Sequence, residues 1–342
     1  MAGLVALARR LSFRDLAALV PLATGADVID PIVAGRVQQL CSFGQRLIDL
    51  DAEDFGKVYP NVAPATDVPS PAAAISTVVP PHLVARAAAC RVPQSPDAVE
   101  RGILTSLRPV YALLLEVANA RWRRREMLWF LATVHIASEY APLLAWEATL
   151  GHGGDPTRLR VDMTGAGSRW GVLDDAACRH TRAFKAAANR VMRVSDENAE
   201  GWTSYLDRQH STTSQALAYC AATCANPCTV VTRLSEEDQH GLRTRNRLAL
   251  AFSGSALVKL RHSAPVGHGF GVPAPAEVQE AWTRTRRSLA RIVPAIADND
   301  AQPIPGLRTV FSALAGAPVA PDTLVAEVAD AIVAELGAAR PG

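Results

Sequence analysis

Apolar residues recur at helical spacing along most of this chain, and the breaks in that spacing divide it into elements. Near the start, Leu4, Leu7, Leu11, Leu16, Leu19 and Val20 follow the period, which predicts two or three helices over residues 4–56. Asp30–Pro31 is a helix-opening pair for Ile32–Leu50. From Tyr59 to Pro96 the pattern fails: Pro60, Pro64, Pro69, Pro71, Pro80, Pro81, Pro93 and Pro96 break any long element. That stretch predicts an irregular connection holding one short helix, His82–Cys90.

Asp97–Leu150 carries the strongest signal. Ser95–Pro96–Asp97 and Pro109 both mark helix starts, and Val110–Leu131 is periodic without Gly or Pro. Pro142 predicts a kink or break, and Gly151–His152–Gly153–Gly154 ends the run. Leu159–Gly171 is the segment expected to be extended. Asp174–Val194, Asn198–Ala225, Glu236–Leu260 and Ala276–Ile292 read as helices, Ser235 capping the third of them. Two short terminal helices follow, one over Asp322–Leu336. The expectation is an all-α multi-helix protein of at least eight helices. It is organised as N-terminal helices over 1–58, a proline-rich connection over 59–96 and a main helical domain over 97–342.

Composition narrows the classes. Of 342 residues, 49% are hydrophobic and 20% charged, which is globular rather than disordered. A formal charge of +2 is too small to argue for a nucleic-acid or membrane-surface partner. The most apolar stretch, Met127–Ile136, is flanked by Arg123–Glu126 and closed by Glu139, as a core helix would be. Arg9, Arg10 and Arg14 precede the first acid, Asp15, and read as part of an amphipathic first helix rather than a transit peptide. Arginine outnumbers lysine heavily, as GC-rich bacterial genomes produce, and six cysteines are too few for a disulfide scaffold. A reduced, cytoplasmic protein is expected, with a small-molecule ligand and homo-oligomerisation both open.

Candidate chemistry gathers in three places. Trp202–Cys228 holds His210, Cys220, Cys224 and Cys228, which on a continuous helix fall within an arc of about 80°. Three thiols and an imidazole are soft metal ligands. Yet Pro227 places Cys228 beyond the helix, and His210 lies about 15 Å along the axis from Cys220. What remains is a thiol pair, Cys220 and Cys224, suited to redox chemistry or to a close helix contact.

Residues 110–150 carry Glu116, Glu126, His135, Glu139 and Glu147. His135 and Glu139 stand one turn apart on one face and could serve as an acid–base pair. The one Glu-x-x-His, Glu237–His240, lies in a helix's first turn with no second copy to complete a di-iron site. The loop Arg261–Gly271 brings together Arg261, His262 and His268 with three alternating glycines. It resembles a phosphate cradle but lacks the strand and spacing of a dinucleotide fingerprint. His180 and His210, each on a helix, are candidate axial ligands for haem or iron, although no Cys-x-x-Cys-His is present. No cofactor is specified by these features.

Arg125–Tyr140, with its opening Arg-Glu and closing Ser-Glu-Tyr, resembles a helix of the carboxymuconolactone decarboxylase and AhpD-like all-α family. Tyr219–Cys228, Leu234–Asp238 and Arg247–Phe252 are similar to that family's cysteine helix, Leu-Ser-Glu-Glu turn and next helix. The resemblance implies an oxidoreductase or decarboxylase acting on a small molecule. The family's Cys-x-x-Cys is here one residue wider, and the position of its decarboxylase histidine falls on Ala145 or its neighbours. Three functional expectations follow. One is a small-molecule enzyme with its site between the 126–147 and 205–228 helices, using His135, Glu139, Cys220 and Cys224. Another is a haem or non-haem iron oxygenase using His180 or His210. The third is a non-catalytic helical protein that binds a partner.

Overall fold

Every regular element among the described residues is helical, as the spacing predicts. The structure, a computed structural model, describes residues 1–51, 78–93, 95–164, 199–224, 227, 229–261, 271–300 and 302–338. In chain order the helices are α1 (Ala2–Arg9), α2 (Phe13–Gly25), α3 (Pro31–Asp49), α4 (Pro81–Ala89), α5 (Arg108–Arg123), α6 (Met127–Leu150), α7 (Pro156–Thr164) and α8 (Ala199–Arg208). A π-helical turn, Gln209–Thr213, joins α8 to α9 (Ser214–Thr223). Then come α10 (Thr229–Thr232), α11 (Glu236–Ser253), α12 (Ala256–Leu260), α13 (Pro275–Ala290), α14 (Leu307–Ala315) and α15 (Leu324–Ala338).

The chain forms two units, Met1–Val92 with Asp322–Gly342, and Pro93–Pro321. The last helix belongs to the first of these units. α15 packs on α3, α1 and α4, burying Leu324, Val325, Val328 and Ile332. Arg86 of α4 pairs with Asp322 and Glu327, which ties the helix start in place. In α3, Asp30 accepts from the Ile32 and Val33 amides and Pro31 occupies the first helical position, the expected opening.

The larger unit is built around α6. α5, α9, α11, α12 and α14 all pack on it. Its apolar residues point in every direction, as in a helix buried on all sides. It is long and apolar enough to cross a membrane by length and composition, but 61% of its most apolar window is buried within the protein.

Four local expectations are corrected. Ser95–Asp97 forms turns rather than a helix start, and a 3-10 turn at Gly102–Leu104 precedes α5. The 110–131 run is interrupted at Arg125, whose φ of 59° turns the chain between α5 and α6. Pro142 does not break α6. The Ser138 carbonyl, which Pro142 cannot reach with an N–H, accepts instead from Ser253 Oγ at 2.8 Å. Residues 159–164, expected to be extended, belong to α7: Asp155 accepts from the Thr157 amide and Pro156 takes the first helical position. Residues 165–171 and 174–194 lie outside the described residues.

Candidate functional site

α11 runs antiparallel to α6. Arg245 Nε donates to the Ala145 carbonyl at 3.1 Å, and Ser253 Oγ reaches Ser138 nearer the start of α6. The predicted helix over 236–260 is broken at Gly254, and Ser255 caps a new one, α12. Leu257 N donates to Thr285 Oγ1, which anchors α12 against α13. This turn carries Arg261 to the level of His135. Arg261 Nη1 lies at hydrogen-bond distance from His135 Nε2, and Glu139 Oε1 lies 3.1 Å from the same nitrogen.

A single ring nitrogen thus has two claimants. A guanidinium only donates, so its bond needs Nε2 as an acceptor; an ionised carboxylate only accepts, so its bond needs Nε2–H. The two bonds belong to different tautomers or charge states of the ring. The His135 side chain is 15% exposed and that of Glu139 33%, so the trio reaches the surface. Tyr140 lies beside it. Burial, with the charges of Glu139 and Asp207, pushes its hydroxyl up to about 12, so it stays a neutral phenol.

The structure joins His135 to Glu139 but sets the thiols elsewhere. Ser214 Oγ donates to the Glu139 carbonyl, and Trp146 Nε1 donates to that of Leu217. α9 therefore runs along α6 away from His135, and Cys220 lies beyond the Trp146 contact. Trp146 is itself about 16 Å along α6 from His135. Cys220 and Cys224 are both buried and unbridged, Cys224 at the extended residue that ends α9. This environment suits core packing more than a reactive thiolate. The carboxylates of 116–147 also disperse. Glu147 accepts from Ser106 Oγ and Leu107 N, capping α5, while Glu126 pairs with Arg121 and Arg124.

His210 lies on the π-helical turn. His180, His262, His268 and Cys228 lie outside the described residues. Among the described residues no three of His, Cys, Asp and Glu converge as a metal site would require. Glu237 and His240 are exposed on α11.

A second cluster of histidine, carboxylate and arginine has no helical spacing to announce it. In the turn after α6, His152 is fully buried, and its Nδ1 accepts from the Gly154 and Asp155 amides at 3.1 and 2.9 Å. That fixes Nε2 as the protonated nitrogen, donating to Asp162 at 3.0 Å. Burial lowers the pKa of His152, outweighing the opposing bond to Asp162. Asp155 is gripped by Arg101 through two bonds of 2.9 and 2.7 Å, and the Arg101 guanidinium lies 4.7 Å from the Trp202 ring centroid. The Gly154 carbonyl accepts from Tyr205 and Gln209. Asp155–Pro156, an N-cap with proline at the first helical position, was the available signal.

A partly open pocket lies apart from both trios. It measures about 150 Å³, and Trp122, Phe130 and Trp282 are among the residues that line it. None of His135, Glu139 or Arg261 lines it. The chemistry at His135 is the better functional candidate, because a proton-transfer site needs convergent polar groups, which the cavity has few of.

Comparison of the chain with known protein families, curated proteins and solved structures gives no match.

Proposed function

We propose that the chain is an enzyme acting on a small molecule by proton transfer at His135. The observation that carries this reading is the placement of Arg261 and Glu139 on the same imidazole nitrogen. A substrate with a carbonyl or carboxylate beside an acidic C–H or O–H fits the trio. His135 Nε2 takes the proton, and the electron pair left behind moves onto the substrate oxygen. Arg261, released from the ring, donates to that developing oxyanion. Glu139 then accepts from the new Nε2–H and balances the imidazolium charge. That proton, or a solvent proton exchanged for it on Nε2, returns to the substrate as the electron pair moves back, which closes the cycle.

The resemblance to carboxymuconolactone decarboxylases favours the same class, a small carboxylate-bearing substrate. The redox version of the reading, through Cys220 and Cys224, has less support because both thiols are buried. The oxygenase reading rests on His210, on the π-helical turn, and on His180, outside the described residues.

The test is solvent-deuterium exchange, followed by proton NMR, across a panel of small keto acids, hydroxy acids and lactones. Exchange should occur with at least one of them and fall by about 10²-fold or more in His135→Gln. Exchange that survives unchanged in His135→Gln would remove the assignment. A protein that exchanges none of the panel but captures a defined macromolecular partner would favour the non-catalytic reading.

A further inference from the structure

The cavity between α5, the start of α6, α13 and the 302–306 segment has features of a built ligand site, independent of the proton-transfer reading. Its apolar lining is closely buried: Phe130 and Val278 are fully so, and Ile304 and Trp282 are 3% and 5% exposed. The rings are held in place. Trp122 meets Phe130 edge to face at 5.4 Å, and Trp282 Nε1 donates to the Pro305 carbonyl at 3.0 Å. The segment opposite is pinned as well, since Asp300 Oδ1 accepts from the Gly306 amide. Gly306 has a φ of 87°, and a Cβ there would lie 2.7 Å from the Ile296 carbonyl oxygen and 2.9 Å from Arg286 Nε. Only glycine lets Arg286 pass so close to the backbone.

Among the described residues, Arg286 is the charged group lining this space. Its Nε donates to the Ile296 carbonyl, and one Nη2 donates to those of Ala297 and Asp298. Three backbone acceptors fix the plane of the guanidinium, and among the described residues no hydrogen bond engages Nη1. The wall therefore offers a rigid aromatic slot with a fixed cationic donor at its edge, beside the exposed Gln279 and Thr283. An apolar cavity of roughly 150 Å³ has the size that accepts a single benzene ring. We infer that this cavity binds a monocyclic aromatic carboxylate, its ring between Trp122 and Trp282 and its carboxylate on Arg286 Nη1.

Calorimetry and saturation-transfer NMR on the full chain, with benzoate and benzamide as probes, test the inference. Benzoate should saturate with a Kd below about 1 mM, and benzamide, of the same shape without the charge, should bind about tenfold more weakly. Ile304→Trp, which fills the space, should abolish benzoate binding with an unchanged far-ultraviolet spectrum. Val278→Phe serves the same purpose should Ile304→Trp fail to fold. No saturation by benzoate up to about 10 mM would overturn the proposal. So would equal binding of benzamide, or benzoate binding undiminished in a folded, cavity-filled variant.

Discussion

Once within α6 and once just after it, the chain builds a histidine, a carboxylate and an arginine into one place, and the two results differ in kind. After the C-terminus, the bonds of His152, Asp155 and Arg101 are all compatible with one protonation state. The ring accepts at one nitrogen and donates at the other, while Asp155 takes both Arg101 bonds and caps α7. Near the N-terminal half, Arg261 and Glu139 meet at one nitrogen of a partly exposed ring. Matched partners lock a conformation; competing partners leave a proton with two places to be. Residue type alone does not separate a mooring from a site. The assignment of each lone pair and proton does.

The sharpest way to break this contrast is to remove the carboxylate from each trio. Asp155→Ala leaves a largely buried guanidinium without its anion and α7 without its cap, and should cost about 3–5 kcal/mol in urea unfolding. Glu139→Ala should cost no more than about 1 kcal/mol, since that side chain is one-third exposed. Equal costs would make both trios structural. A slightly smaller effect is expected at Gly153, where a Cβ would lie 2.1 Å from the Ile103 carbonyl oxygen. Gly153→Ala must move one backbone segment, at about 2–4 kcal/mol by the same assay.

The difference between the trios also has a pH signature. The pKa of His152 is lowered on folding, so the unfolded chain binds more protons below the ordinary value of 6.5. Stability is then fully present above that value and is lost as pH falls through and below it, by at most about 1.4 kcal/mol per pH unit. In His152→Asn, whose side-chain oxygen can still accept from the Gly154 and Asp155 amides, this slope should flatten although the protein is weaker overall. Glu327, with its pKa lowered by Thr323 and Arg86, contributes its own loss only below about 4.5 and does not obscure the window. A slope unchanged in the His152→Asn variant would show that another group titrates there.

Sequence periodicity served well where a helix buries one stripe and ends on a cap, as in α3 with Asp30–Pro31 and α11 with Ser235. It failed where tertiary bonds replace local ones. Pro142 reads as a break because the rule counts only the missing amide, and the Ser253 hydroxyl that replaces it comes from 111 residues away in the chain. His135 and Glu139 were legible because they are four apart on one helix. Arg261 was placed in a neighbouring loop by sequence, with no means of knowing that the Gly254 turn would deliver it to His135. The thiol ladder of Cys220 and Cys224 reads as chemistry in one dimension, whereas the fold sets it against the far end of α6. His152, between glycines, looks like the end of a helix until its three acceptor and donor bonds are seen.

Histidine side-chain nitrogen-15 NMR at neutral pH tests the contrast most directly. In the wild-type chain His152 should show one fixed tautomer, protonated at Nε2, in every variant of the other trio. His135 should carry an unprotonated Nε2 while Arg261 donates to it, and should switch to the Nε2–H form facing Glu139 in Arg261→Gln. A His135 tautomer that does not respond to the loss of Arg261 would contradict the account, because its central nitrogen would then have only one claimant.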